Sequence, residues 1–284
     1  VLIFLGYKFV ELIAFTTPYF LTYFIAIIVG KLSFAFGLYL DEIKTNVSNV
    51  LNLDKNSRRV LRIVGRIYIN WLKNIVDFLK LPIISKEKLR ERVEIVGLDN
   101  LDKALKKGRG IVIFTAHIGN FEWGACRVAI EGYKIWGTSL ERPYNRTNKF
   151  FENRRLVKGV KIIYANKILN IFRILRNNEI IAIPTDLDPF GNAKPTEFFG
   201  KKAYLPTGAV QIALKTGAQL IPSFVIRKSK YKHYQIIGKP IKLQREGNKE
   251  ELIKINMAKV IRVIEKYIKE NIEEWEMFHN IWAE

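Results

Sequence analysis

Residues 111–114, Ile-Val-Ile-Phe, form an unbroken apolar run with no polar face. A strand of that kind has to be covered on both sides, which a parallel sheet wrapped by helices provides. Gly119 and Asn120 end the run and helical spacing resumes over residues 121–130, so His117 and Glu122 flank a strand-to-helix turn. Such turns lie at the carboxyl edge of a parallel sheet, where ligands bind and free helix amides favour negative charge. Further strands are expected at 93–96, 135–140, 161–164, 180–183, 220–226 and 234–237. Helices between them are expected at 148–157, 167–176 and 207–216, and a last helix at 250–272. This alternation predicts an α/β fold with a mostly parallel central sheet flanked by helices.

The start of the chain is different. Residues 12–30 carry no charge, and Lys31 is the sole charged residue of 12–40, a run rich in Phe, Tyr and Ile. Its length suits a bilayer crossing, while Pro18, Thr16, Thr17 and Thr22 suit a helix pair dipping into one leaflet. Lys44, Lys55, Arg58, Arg59, Arg62 and Arg66 follow, as expected on the cytoplasmic, anionic side of an inner membrane. Residues 57–81 have the spacing of an amphipathic helix that Pro82 terminates. The expected organisation is therefore an N-terminal helical membrane anchor, residues 1–82, and an α/β domain, residues 83–284.

A net charge of +20 calls for an anionic partner: a membrane surface, an acidic protein or nucleic acid. No nucleic-acid recognition motif accompanies the charge, and the apolar run favours the membrane. Cys126 is the single cysteine and no Cys/His cluster has metal spacing, so neither a disulfide framework nor a bound metal is expected.

His117 is one of three histidines, and Glu122 stands five residues on. A His that accepts a proton near neutral pH, beside a carboxylate that fixes its tautomer, is the base-and-orienter part of a catalytic triad. With no Ser or Cys beside it, the substrate has to supply the attacking hydroxyl. The segment H-I-G-N-F-E-W, residues 117–123, resembles the first block of the lipid A late acyltransferases of the lysophospholipid acyltransferase superfamily, whose signature is H-x4-D/E. Later blocks resemble the same family in the same order: Leu140-Glu141-Arg142-Pro143, Asn153-Arg154-Arg155-Leu156, Pro184-Thr185-Asp186-Leu187-Asp188, Phe198-Phe199-Gly200, Ala213 to Ala218, and Glu274-Trp275-Glu276 through Trp282. The last departs from the family's W-x-W-x-H-R-W.

The resemblance implies a membrane-bound O-acyltransferase. His117 would be the base, Glu122 its orienter, and an acyl carrier protein or coenzyme A thioester the donor; no other cofactor is implied. The acceptor would be a hydroxyl of a glycolipid or lysolipid. Arg142, Arg154 and Arg155 are candidates for capturing phosphate or countering transition-state charge, because the guanidinium binds anions bidentately. Asn120 lies within the first block. Asp186 and Asp188 have three readings: structural acids bonding turn amides or arginines, which is preferred, substrate contacts, or Mg²⁺ ligands of a D-x-D glycosyltransferase. A non-catalytic membrane or nucleic-acid binder would explain the charge and leave the His-Glu turn unexplained. Acyl transfer also requires an apolar groove beside His117, with Phe121, Trp123, Phe198 and Phe199 as the bulky residues expected to limit it.

Overall fold

The computed structural model describes residues 2–283. Four helices come first: α1 (Leu2–Thr16), α2 (Tyr19–Ala35), α3 (Leu40–Leu51) and α4 (Arg58–Leu79). Then follow α5 (Lys86–Arg92), β1 (Val93–Val96), α6 (Asp99–Leu105), β2 (Ile111–Thr115), α7 (Phe121–Ile130), β3 (Ile135–Ser139), α8 (Asn145–Leu156), β4 (Lys161–Tyr164), α9 (Ile168–Arg176) and β5 (Ile180–Pro184). The chain continues through β6 (Pro195–Phe198), β7 (Lys201–Tyr204), α10 (Gly208–Thr216), β8 (Gln219–Arg227), β9 (His233–Ile237) and α11 (Lys249–Glu270).

Seven strands form one sheet in the order β1-β9-β8-β2-β5-β3-β4. Every neighbouring pair is parallel except β8 with β9. All five residues of β2 are buried, as its unbroken apolar character requires. One core joins Val112, Phe114 and Ile181 of the sheet to Ile174, Val210, Val260 and Ile264 of the helices on one face. A second joins Ile111, Ile113 and Ile180 to Trp123, Cys126 and Leu101 on the other. The α/β architecture is thus as the sequence pattern predicts. The hairpin of β6 and β7 is the exception: its antiparallel pairing sets Pro195 against Tyr204 and Glu197 against Lys202, in short segments without an apolar run to announce it.

Ser57 caps α4 by accepting from the Val60 amide, and Val60, Ile63, Val64 and Ile67 are buried along one stripe. That stripe joins the same core as the sheet, together with Ile43 and Val47 of α3, so the hydrophobic interior runs across residue 82. Burying each such side chain contributes about 1.5–3 kcal/mol. Helix α2 lies close on α4, since a Cβ at Gly30 would meet Ile69 Cα at 3.0 Å. The apolar run of 12–40 does not continue as one rod: Pro18 separates α1 from α2, and buried Lys80 closes the end of α1 by donating to the carbonyls of Ala14 and Thr17. Among the described residues no single helix is long and apolar enough to cross a membrane. By length and composition α2 and α3 suffice only together, bent by 92°. Both α1 and α2 leave large apolar side chains in the open, among them Phe9, Leu12, Phe20, Phe24 and Leu32.

Candidate active site

Two adjacent parallel strands end side by side and bring their following loops together. β2 and β5 pair in register through Thr115 and Pro184. Two residues beyond each of these lie His117 and Asp186, and the ring Nδ1 of His117 sits 2.8 Å from Asp186 Oδ1. The second oxygen of Asp186 accepts from the His117 backbone amide at 2.8 Å and from the Trp275 indole at 2.9 Å. Asp186 is fully buried, whereas the His117 side chain keeps 28% of its surface. Nδ1 is therefore taken up by the carboxylate and Nε2 is the nitrogen left for a ligand.

Burial alone would push the imidazole pKa down, but the charge and hydrogen bond of Asp186 outweigh it, and the net shift is upward. For Asp186 burial works to raise the carboxyl. The charge and hydrogen bond of His117, the indole and the backbone amide together hold it below the usual carboxylate range.

The loop that presents His117 tolerates only glycine at 119. Gly119 has φ +60°, and a Cβ there would fall 1.7 Å from the Val225 carbonyl oxygen. Asn120 then caps α7, accepting from the Trp123 amide at 3.1 Å while its own amide donates to Asp77 at 2.9 Å. Asp77 is fully buried and is also held by Tyr23 of α2 and Arg227 of β8. From the far end of the chain, residues 274–276 run antiparallel to the loop. Ile118 and Trp275 form a bridge, the Gly119 amide donates to Glu274 O at 2.8 Å and the Glu276 amide to His117 O at 2.7 Å.

Glu122 does not orient His117. It lies within the first turn of α7, which carries its carboxylate to the α8 side, and there Arg155 grips it with contacts of 2.8 and 2.5 Å. Asp186, which the sequence reading assigned to turn amides or arginines, takes the orienting place because β5 is the immediate neighbour of β2. Asp188 does bond turn amides, those of Phe190 and Ala193. With the oxygens of Asp186 committed to His117 and Trp275, and Asp188 to its turn, the two acids do not converge as a cation site. Among the described residues no group of three or more potential ligands does so either.

Of the three arginines, two reach the site. Arg155 lines the cavity beside Glu122; burial opposes its charge, and the Glu122 carboxylate more than restores it. Arg142 also lines the cavity, in a loop that Asn148 clamps through both backbone groups of residue 142. Its guanidinium rests 4.1 Å over the Phe151 ring, and burial with Arg155 nearby lowers its pKa. Among the described residues no carboxylate forms an ion pair with Arg142. Arg154 points the other way. It is buried against Glu11 of α1 and donates to Phe150 O, so it ties α1 to α8 outside the His117 cavity.

A cavity of about 1840 Å³ opens beside His117 along the carboxyl edge of the sheet. That exceeds the roughly 300–1,000 Å³ of an ordinary small-molecule pocket. Tyr7, Val10, Ile75 and Leu79 line one end, under α1 and α4; Ile212, Ile253 and Met257 line the other, between α10 and α11. Phe121 is in its wall. Trp123, Phe198 and Phe199 are not: Trp123 and Phe198 are fully buried elsewhere, Trp123 donating to Asp77 O and Phe198 stacked on Trp282.

Residues 1–284 match the family model for bacterial lipid A biosynthesis acyltransferases. The chain belongs to that family. Similar characterised proteins are phosphatidylinositol mannoside acyltransferases. The one from Mycobacterium tuberculosis (strain ATCC 25618 / H37Rv) is 27% identical over 155 residues, 52% of this chain and 49% of the relative. The one from Mycolicibacterium smegmatis is 26% identical over 149 residues, 50% and 49% of the two chains. This acyltransferase family member thus spans about half the length of the curated relatives it matches. Among solved structures, a 1-acyl-sn-glycerophosphate acyltransferase, PlsC, from Thermotoga maritima superposes with a TM-score of 0.39 at 18% identity, over 85% of this chain and 97% of that one.

Proposed function

We propose that this chain transfers a fatty acyl group from a thioester to a hydroxyl of a glycolipid acceptor at a membrane surface, with His117 as general base. The observation that carries the reading is the buried Asp186 holding Nδ1 of a histidine whose ring borders a large, largely apolar cavity. Nε2 removes the proton of the acceptor hydroxyl as its oxygen attacks the thioester carbonyl. The tetrahedral intermediate collapses to the ester, the carbon–sulfur bond breaks, and the imidazolium returns its proton to the thiolate. Asp186 stabilises that imidazolium and keeps the tautomer correct. Arg142, half-buried in the wall, supplies positive charge for the oxyanion or for a donor phosphate.

The exposed apolar faces of α1 and α2 seat the protein in the interfacial layer, where acceptor and product reside. The basic segment after them fits the cytoplasmic side of an inner membrane. An excess of positive charge favours an anionic donor, whether acyl carrier protein or coenzyme A, without choosing between them. The mycobacterial relatives' mannosylated phosphoinositide points to a sugar-bearing acceptor. Incubating the purified chain with acyl-coenzyme A or acyl carrier protein thioesters and a membrane lipid extract tests the reading: a new acylated glycolipid in the mass spectrum supports it, and its absence with every donor refutes it. Phe9→Glu with Phe24→Glu should weaken vesicle binding by at least about tenfold, since each Phe withdrawn from the interface forfeits about 1.5–3 kcal/mol; unchanged co-sedimentation would refute the interfacial seat.

A further inference from the structure

The short pairing between the His117 loop and residues 274–276 does more than brace the loop. Because Ile118 and Trp275 are the bridged pair, His117 stands opposite Glu276. Directly opposed residues of an antiparallel pair project to the same face, with Cβ atoms about 4.5–5.5 Å apart. The Trp275 indole donates to Asp186. Glu276 is thereby placed beside the His117 ring, and both line the same cavity. One oxygen of its carboxyl accepts from Asn74 of α4 at 2.6 Å. Trp71, one turn earlier on α4, lines the cavity as well.

The acyl end of a thioester offers such a group no hydroxyl. What must lie beside His117 is the attacking hydroxyl of the acceptor, and an acid, an amide and an indole face on one wall suit a headgroup rich in hydroxyls. This wall is also the one continuous with α1 and α4, beneath the apolar surface from which an amphiphile would enter.

We propose that Glu276, steadied by Asn74, binds the acceptor: its carboxyl exchanges hydrogen bonds with hydroxyls of a sugar or polyol headgroup and so sets one of them against Nε2 of His117. Burial, ahead of the opposing Asn74 hydrogen bond and the reinforcing Glu274 charge, pushes this carboxyl up to about 8. At neutral pH it is therefore both a donor and an acceptor, the pairing a hydroxyl needs. The assignment rests on the acyl-transfer reading given above.

The test compares two acceptors of one tail length, octyl glucoside and 1-octanol, with palmitoyl-coenzyme A as donor and the full chain in detergent. The readout is the ratio of kcat/KM for the glucoside to that for the alcohol, in which any general loss of activity cancels. Wild type should favour the glucoside. Glu276→Ala should lower the ratio about tenfold, the worth of one or two lost hydrogen bonds, chiefly through KM for the glucoside. Glu276→Gln, which keeps a donor and an acceptor, should restore most of it. A ratio in Glu276→Ala within about twofold of wild type, too small for one lost hydrogen bond, overturns the assignment while leaving acyl transfer standing. Failure of wild type to consume donor in a His117-dependent manner overturns both.

Discussion

Two acid–base pairs stand at the same sheet edge and differ in what the base can do. In His117–Asp186 the carboxylate is fully buried and its charge and hydrogen bond raise the pKa of an imidazole, a group that can both take up and release a proton. In Glu122–Arg155 the side chains keep 19% and 13% of their surface and the guanidinium stays charged at every working pH. The first suits proton transfer, and the second ties α7 to α8 across the cavity wall. Sequence spacing links His117 to Glu122, yet strand adjacency exchanges the partners.

The sharpest way to break this comparison is His117→Ala, which should reduce acyl transfer on the order of 10²–10⁴-fold with the fold intact. Near wild-type turnover in the purified variant would remove the base from the mechanism. Asp186→Asn should follow, with a loss on the order of 10²-fold or more as the imidazole loses its tautomer control. It also carries a signature in pH. Catalysis needs neutral His117, whose pKa Asp186 raises, so the rate of the wild type climbs as pH passes that raised value, and in Asp186→Asn the climb should move to lower pH.

The same pair couples to stability with defined signs. The raised histidine stabilises the fold fully below its unfolded pKa, and that share is lost as pH rises through the folded value. The depressed aspartate stabilises above its unfolded pKa, and that share is lost as pH falls through the folded value. Thermal unfolding across pH should show the pair's contribution greatest between the unfolded pKa values of the two groups, and Asp186→Asn should flatten it.

Glu122→Gln sharpens the comparison from the other side. It strands the Arg155 charge and should cost on the order of 2 kcal/mol of stability, below the roughly 3–5 of a fully buried pair because both side chains retain some water. The acid limb of its pH–rate profile should move less than that of Asp186→Asn, and an equal displacement would show that Glu122 does orient the base. Arg155→Lys is the mildest change, keeping the charge and losing the two-pronged grip, for about 1 kcal/mol in the same unfolding assay.

How much of this was legible follows from the kind of information each feature needs. Helix α7 was predicted with its observed bounds because Asn120 and the apolar spacing are local signals. The seven strands of the central sheet were likewise readable from short apolar runs, each within a residue or two, whereas the β6–β7 hairpin was not. Asp186 as the partner of His117 was not, since the contact spans 69 positions and exists only because β5 lies next to β2. Arg154 and Arg155 are neighbours in sequence with identical chemistry. The helical rotation between them sends one to Glu11 and the other to Glu122, and only the packing of α8 says which. The large aromatics expected to bound the cavity were chosen by proximity in sequence, and three of the four went into the core or against the C-terminal segment instead.

The bridge between Ile118 and Trp275 has a consequence for the order in which the protein becomes able to work. The residues that brace His117 and the indole that fixes its carboxylate leave the ribosome long after His117 itself. On the proposed mechanism a nascent chain therefore carries its base unbraced until the late segment docks. Competence for the proposed transfer would then begin only once residues 274–276 have folded against the His117 loop.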